Sequence, residues 1–268
     1  MTTRIARRWQ DLKKNNDKAL IAFVMAGDPD LPKTAEIVLA LTDAGVDIVE
    51  LGVPFSEPIA DGPVIQRAGD RAIRQGAYLP AILDLVTEIR RKSEVPLLLM
   101  SYLNPILRYR LERFCDDAVA SGADSVLVTD LSVEEADPFV AVMRRKGLDT
   151  VFLAAPTSTD ARLQRVVEYS TGFVYAVSRA GTTGVRDSLS SAIGPLLERL
   201  RAITALPIAA GFGISRPEHL TQLAPLADGV VVGSALVKVI EEHPDNPAPH
   251  AAEFARWLRT GFTSHPQA

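Results

Sequence analysis

Cysteine is nearly absent from this chain of 268 residues, which contains Cys115 alone. A single cysteine cannot form an internal disulfide, which favours a cytoplasmic setting. Cys115 lies on the apolar stripe of a predicted helix, so we interpret it as a core residue and not as a nucleophile. No apolar run approaches the roughly 20 residues that cross a bilayer, and the amino terminus lacks the apolar segment of a signal peptide. The sequence therefore predicts a soluble, cytoplasmic protein with no membrane partner.

The residues that several kinds of active site require are also missing. None of the lysines ends a predicted strand, which argues against Schiff-base aldolase chemistry. The four histidines are late and scattered, so we expect no metal site. No nucleotide-binding loop of the Gly-x-x-x-x-Gly-Lys type occurs, and the net charge of -4 is spread along the chain, so no nucleic-acid partner is expected. Carboxylates, hydroxyls and backbone groups remain to carry chemistry.

Eight short apolar runs, rich in β-branched residues, recur along the chain. Their hydrophobicity is nearly continuous, as in strands that are covered on both faces. Segments with helical spacing lie between them; Ile82, Leu85, Val86 and Ile89 are one example. The predicted strands are 19–25, 47–52, 96–101, 125–129, 150–154, 173–177, 207–211 and 229–233.

This alternation predicts an α/β fold, a (β/α)8 TIM barrel, in a single domain over residues 1–268 with short extra helices at the termini. An open doubly wound sheet is the alternative, but eight units without an internal break favour closure. The intervals after predicted strands 2 and 6 are the longest. Because the chemistry of such barrels lies at the carboxyl ends of the strands, we expect extra loop of the site in both intervals.

Two carboxylates become candidate site residues, because they lie at or just after the carboxyl end of predicted strand 2. Glu50 lies inside an apolar strand, where it is either a structural ion-pair partner or functional, because burying a lone carboxylate is costly. Partial burial would raise its pKa toward neutrality. Asp61 precedes Gly62, and such a pair is first of all a turn former. It nevertheless lies in a proline-stiffened loop after the strand of Glu50, so the two acids could face one cavity. Glu57, in the same loop, could simply be solvated.

Glycine-rich segments after three predicted strands suit an anion. Residues 211–215 and Gly233-Ser234 follow strands 7 and 8, where barrels usually bind phosphate through backbone N–H groups. Each segment alone is more often a turn, and the pair is more specific. Residues 178–186 follow strand 6 and suit either a lid that also binds phosphate or an inert loop.

Together these residues resemble the tryptophan synthase α subunit family over nearly the whole chain. The long strand 2 motif is highly specific, and several matches occur in order. The matching segments are Ala26-Gly27-Asp28-Pro29, Glu50-Leu51-Gly52-Val53-Pro54-Phe55-Ser56, Ala60-Asp61-Gly62-Pro63, Asn104-Pro105, Ser178-Arg179-Ala180-Gly181 with Thr183-Gly184, and Gly211-Phe212-Gly213-Ile214-Ser215.

The resemblance implies a carbon–carbon lyase of tryptophan biosynthesis that cleaves indole-3-glycerol phosphate to indole and glyceraldehyde 3-phosphate without a cofactor. It makes Glu50 the acid/base catalyst and Asp61 the acceptor of a hydrogen bond from the indole N–H. The other implied site residues are Tyr175 in the active site, Thr183 on the lid, Phe23, Ile65, Leu127 and Phe212 as candidates for the indole wall, and Gly184, Gly213, Gly233 and Ser234 for the phosphate.

The resemblance also implies a partner. Members of the family pair with a β subunit in an α2β2 heterotetramer, and pyridoxal phosphate belongs to that subunit. Glu57, Asn104 and Pro105 are the implied contact residues. The sequence departs from the family at Glu57, where aspartate is usual, and at Ser132, where proline is usual. Both departures concern coupling to the partner more than the chemistry.

Two other functions remain compatible with the sequence. In one, which Glu57 keeps open, the barrel mainly activates a β partner and cleaves poorly. In the other, the chain is a different phosphate-binding barrel, such as a sugar-phosphate isomerase, or a free-standing indole-releasing relative. An isomerase would not need the strand 2 loop, and a product assay with indole-3-glycerol phosphate discriminates among the three.

Overall fold

Strands and helices alternate along the chain in a computed structural model that describes residues 3–177, 192–211 and 213–263. The strands are β1 (Ala19–Met25), β2 (Ile48–Gly52), β3 (Leu97–Ser101), β4 (Ser125–Val128), β5 (Asp149–Thr150), β6 (Phe152–Ala154), β7 (Val174–Val177), β8 (Ile208–Gly211) and β9 (Gly229–Val232). The described helices are α1 (Arg4–Lys14), α2 (Leu31–Asp43), α3 (Pro63–Arg74), α4 (Leu79–Arg90), α5 (Leu103–Tyr109), α6 (Leu111–Ser121), α7 (Asp137–Lys146), α8 (Asp160–Tyr169), α9 (Ile193–Ile203), α10 (Pro217–Leu223), α11 (Ser234–Glu242) and α12 (Pro247–Thr263).

The strands form one parallel sheet in the order β5-β4-β3-β2-β1-β9-β8-β7-β6. Predicted strand 5 is interrupted at Val151, so that β5 pairs with β4 while β6 pairs with β7. The same stretch of chain therefore joins both edges of the sheet. Strand order never reverses, as it would at the switch point of an open doubly wound sheet. The predicted (β/α)8 barrel is confirmed, with strand 5 divided in two.

Alternating side chains of the strands separate two apolar layers. Leu20 and Ala22 of β1 pack outward against the helices, whereas Ile21 packs into the barrel. Helix α1 covers the end of this interior: Trp9 contacts Phe173 with a ring-centroid distance of 5.7 Å. With that end filled by side chains, open space is left at the carboxyl ends of the strands.

Sequence signals place most of the helices. The predicted apolar residues of α4 are buried, and Cys115 lies buried in α6 with its Sγ 3.7 Å from Met143 Sδ, as expected of a core residue. Gly122 and Gly147 end α6 and α7 in the left-handed conformation that glycine allows. Among the described helices, none is both long enough and apolar enough to span a bilayer.

The interval after β2 differs from the expectation of extra loop, because it contains the additional helix α3. Proline at its first position suits a helix start, and Ile65, Ala68 and Ala72 give it one apolar face. This periodicity went unrecognised in the sequence. The helix bears on the site, because α3 begins two residues after Asp61.

The close packing of α12 against α10 predicts a cost for one added methyl group. A β carbon at Gly261 would lie 2.1 Å from the carbonyl oxygen of Pro217, and backbone cannot move aside cheaply. We expect Gly261→Ala to lower the free energy of unfolding by about 2 kcal/mol in urea denaturation. Gly194→Ala is the control, because nothing lies within 4 Å of its added β carbon in α9. Equal losses in both variants would contradict this packing.

Candidate active site

The register of the sheet places Glu50 inside the barrel. Phe23, Glu50 and Leu98 are neighbours across β1, β2 and β3, and Leu98 belongs to the barrel interior. Glu50 is 1% exposed, and its Oε1 has no hydrogen-bond partner within the described structure. A structural ion pair, one of the two interpretations open from the sequence, is therefore absent among the described residues.

Burial changes the acidity of Glu50. Desolvation, together with the negative charge of Asp61, raises the pKa of the Glu50 carboxyl from 4.5 to about 8. Glu50 is consequently protonated at neutral pH and can act as an acid. Burial and the charge of Glu50 also raise the pKa of Tyr175 well above its ordinary value, and both side chains line the same cavity.

Asp61 lies at the junction between the loop after β2 and α3. Its backbone N–H donates to the carbonyl of Pro58, so it does form a turn, but its side chain is also buried, at 4% exposed. The Tyr102 hydroxyl donates to Asp61 Oδ2 at 3.1 Å and accepts from the Ala60 N–H at 3.0 Å. Burial raises the pKa of Asp61 to about 6, and the hydrogen bond from Tyr102 opposes that rise. Asp61 is therefore mostly ionised at neutral pH.

Both acids line one cavity of about 330 Å³ at the carboxyl ends of the strands. Its apolar wall and its polar groups come from several different strands and loops. The predicted site residues that line it are Phe23, Glu50, Asp61, Ile65, Leu127, Tyr175, Gly233 and Ser234. Gly233 and Ser234 stand at the start of α11, where the free N–H groups and the helix dipole favour an anion.

Other predicted residues lie outside this lining. Gly213 follows β8 with a φ of +79°, a conformation that favours glycine, but it does not border the cavity. Glu57 and Asn104 are exposed and Pro105 is half-buried, in the segments that follow β2 and β3. Thr183, Gly184 and Phe212 lie outside the described residues.

Sequence reasoning missed several residues, of which Tyr102 bonds to Asp61 and Thr129 and Arg162 line the cavity. Tyr102 directly follows β3, so a search for polar residues at strand ends would have found it. Thr129 follows β4 in the same way. Arg162 comes from the first turn of α8 and lies 3.4 Å from Glu134, and no strand-end signal predicts it. Within the described ranges, no group of three or more histidine, cysteine or acidic side chains is placed to hold a metal ion.

Glu50 makes the stability of the chain depend on pH. Between its ordinary pKa of 4.5 and its folded pKa of about 8, the folded state keeps a proton that the unfolded state has lost. The stability due to this proton is complete below the lower value and is lost as the pH rises, by on the order of 2 kcal/mol between pH 6 and pH 8. We expect Glu50→Gln to remove this loss in urea unfolding at both pH values. The exposed Glu57→Gln should keep it; identical pH slopes for all three proteins would contradict the burial of a neutral Glu50.

The comparisons with known proteins agree with this geometry. A family model described as tryptophan synthase alpha chain matches residues 9–262. The tryptophan synthase alpha chain of Solibacter usitatus is 55% identical over 262 residues, which cover 97% of this chain and 98% of that protein.

Solved structures extend the likeness to three dimensions. One chain of tryptophan synthase from Mycobacterium tuberculosis superposes with a TM-score of 0.91 at 36% identity, covering 99% of this chain and 100% of that one. A chain from the Pyrococcus furiosus tryptophan synthase a2b2 complex superposes with a TM-score of 0.85 at 44% identity, covering 90% and 97%. The chain therefore belongs to the tryptophan synthase alpha chain family, whose known function is the lyase cleavage of indole-3-glycerol phosphate in tryptophan biosynthesis.

Proposed function

We propose that Glu50 and Asp61 are the acid/base pair with which this chain cleaves indole-3-glycerol phosphate to indole and glyceraldehyde 3-phosphate. The observation that carries the proposal is that two buried carboxyl groups in one cavity have pKa values of about 8 and about 6. Between these values Glu50 is protonated while Asp61 is ionised. Separated pKa values of this kind give two similar groups different catalytic roles.

The proposed cleavage needs a protonated Glu50 and an ionised Asp61 at the same time. Glu50 donates its proton to indole C3, which leaves a positive charge at the ring nitrogen, and ionised Asp61 stabilises that charge by accepting the N–H hydrogen bond. The Glu50 carboxylate then takes the proton of the adjacent glycerol hydroxyl. The carbon–carbon bond breaks, its electron pair neutralises the ring nitrogen, and the hydroxyl carbon becomes the aldehyde. Glu50 is protonated again at the end.

The side chains that line the cavity support one orientation of the substrate. In the proposal the indole ring lies against Phe23, Ile65 and Leu127, near Asp61, with Tyr175 beside the reacting carbon. The phosphate binds to the N–H groups at Gly233 and Ser234, where backbone donors make a lysine unnecessary. Phosphate contacts of Gly184 and Gly213, the lid contact of Thr183 and the wall contact of Phe212 remain predictions.

We further propose that a tryptophan synthase β chain covers the rim of the cavity, in an α2β2 assembly like the one named for the Pyrococcus furiosus relative. Two large apolar side chains support this: Ile59 is 78% exposed in the loop after β2, and Leu107 is 55% exposed in α5. Each lies two residues beyond a predicted contact residue, Ile59 after Glu57 and Leu107 after Pro105. The cleavage needs no cofactor, because the protonated indole ring itself accepts the electrons of the broken bond. Pyridoxal phosphate would belong to the β chain.

Removing the acid tests the proposed chemistry. We expect Glu50→Gln to lower kcat for indole release at least about 100-fold, because the amide cannot donate the proton, while KM changes little. Glu57→Gln removes the same charge from the exposed loop and should retain cleavage. Turnover by the Glu50 variant would remove Glu50 from its role. If the parent chain stimulates a β chain but releases no indole, the partner-activating role is favoured instead.

A substitution on the rim of the cavity tests whether the β chain binds there. We expect Ile59→Ser to weaken association with a tryptophan synthase β chain at least about tenfold, because it removes a large exposed apolar side chain from the proposed binding surface. Analytical ultracentrifugation of mixtures measures this. Trp257→Ser is the matched control, because Trp257 is 46% exposed on α12, away from the cavity. Equal effects of the two substitutions would mean that the rim is not the binding surface.

A further inference from the structure

Four charged side chains connect three elements around the cavity; we call Asp28, Arg67, Arg71 and Glu241 the arginine network. Arg71 donates from Nε to Asp28 Oδ1 and from Nη2 to Asp28 Oδ2, both at 2.8 Å. Its Nη1 also donates to Glu241 Oε1 at 2.7 Å. Arg67 completes the network with donations from Nε and Nη2 to the two Glu241 oxygens at 2.8 and 2.7 Å.

Each member of the network stands on an element that carries a cavity residue. Asp28 follows β1, which contributes Phe23. Arg67 and Arg71 lie one turn apart on α3, which begins just after Asp61. Glu241 lies about two turns beyond Ser234 on α11. The proposed mechanism uses none of the four, although they link the elements on which it depends.

The bridge between Asp28 and Arg71 is the part of the network best suited to rigid placement. Asp28 is 3% exposed, and both of its oxygens accept from Arg71, an arrangement that fixes direction as well as distance. The two arginines lower the pKa of Glu241 to about 2, so its charge persists well below neutral pH. A lysine could not reproduce the bridge, because it is a point charge without the planar fork of donors.

An apolar contact lies on the same three elements. Ile65, Ala68 and Ala72 of α3 cluster with Val237 of α11 and with Phe23 and Met25 of β1. The small side chains on α3 allow the two helices to approach closely. The amino-terminal ends of the two helices, with Asp61 beside one and Gly233-Ser234 at the other, both border the cavity.

We infer that the arginine network sets the distance between the indole-binding and phosphate-binding ends of the cavity, which makes its members positioning residues for the cleavage. The inference rests on the proposed function, in which Asp61 marks one end and Ser234 the other. A ligand held at both ends gains affinity from their linkage only when the spacing of the sites matches its own length. The network therefore selects indole-bearing phosphates of one length.

Binding of a whole ligand and of its parts distinguishes this role from simple stabilisation. We expect Arg71→Met and Glu241→Gln each to raise KM for indole-3-glycerol phosphate about tenfold, the size of a coupling within a charge network. Dissociation constants for indole alone and for glycerol 3-phosphate alone, measured by calorimetry on the full chain, should change less than about twofold, because each end remains intact. Arg71→Lys, which keeps the charge and loses the bridge, should be intermediate.

The control breaks a different ion pair. Glu112→Gln removes the exposed contact of Glu112 with Arg145 between α6 and α7, and it should change neither KM nor the affinities for the parts. Variants that are less stable to heat but keep the parent KM would overturn the inference, and so would equal losses for the whole ligand and its parts. A parent chain that neither binds nor cleaves indole-3-glycerol phosphate would overturn the proposed function as well.

Discussion

The burial of Glu50 inside a closed parallel barrel is the constraint on which the rest of the structure depends. An isolated carboxyl group in that position is tolerated because it stays protonated at neutral pH, and the same burial makes it an acid near pH 8. The register of β2 in the sheet keeps the Glu50 side chain in the cavity. A slip of β2 by one residue would exchange its inward and outward side chains and remove Glu50 from the cavity.

The contrast between Glu50 and Asp61 comes from their immediate surroundings. Glu50 is enclosed by strands, with one oxygen unpaired within the described structure. Asp61 accepts a hydrogen bond from Tyr102, so its pKa stays nearer to that of an ordinary carboxyl group. Two groups of the same chemical type thus hold opposite protonation states at one pH, as acid/base catalysis by a pair of carboxyls requires.

Different kinds of interaction position the residues at different distances from the cavity. The strands position Glu50 and the apolar wall, while α3 and α11 bring their amino-terminal ends to the cavity. Ion pairs between those helices and the loop after β1 join the elements at a distance from the chemistry. Exposed apolar side chains such as Ile59 lie farther out, on the rim proposed to meet a partner. In the roles proposed above, chemistry, substrate length and partner recognition rest on separate sets of residues.

The sequence by itself determined the strand–helix alternation, the burial of Glu50 in a strand and the glycine ends of α6 and α7, because each of these is a local property of the backbone and its apolar period. It also made Asp61 a candidate for the same cavity as Glu50, because its proline-stiffened loop follows the strand of Glu50. Only the tertiary structure decided the break of strand 5 at Val151, the pairing of Tyr102 with Asp61 and the contact of Arg71 with Glu241. The residues in each pair lie 41 and 170 positions apart, and the packing of distant elements against one another, which no local pattern encodes, brings them together.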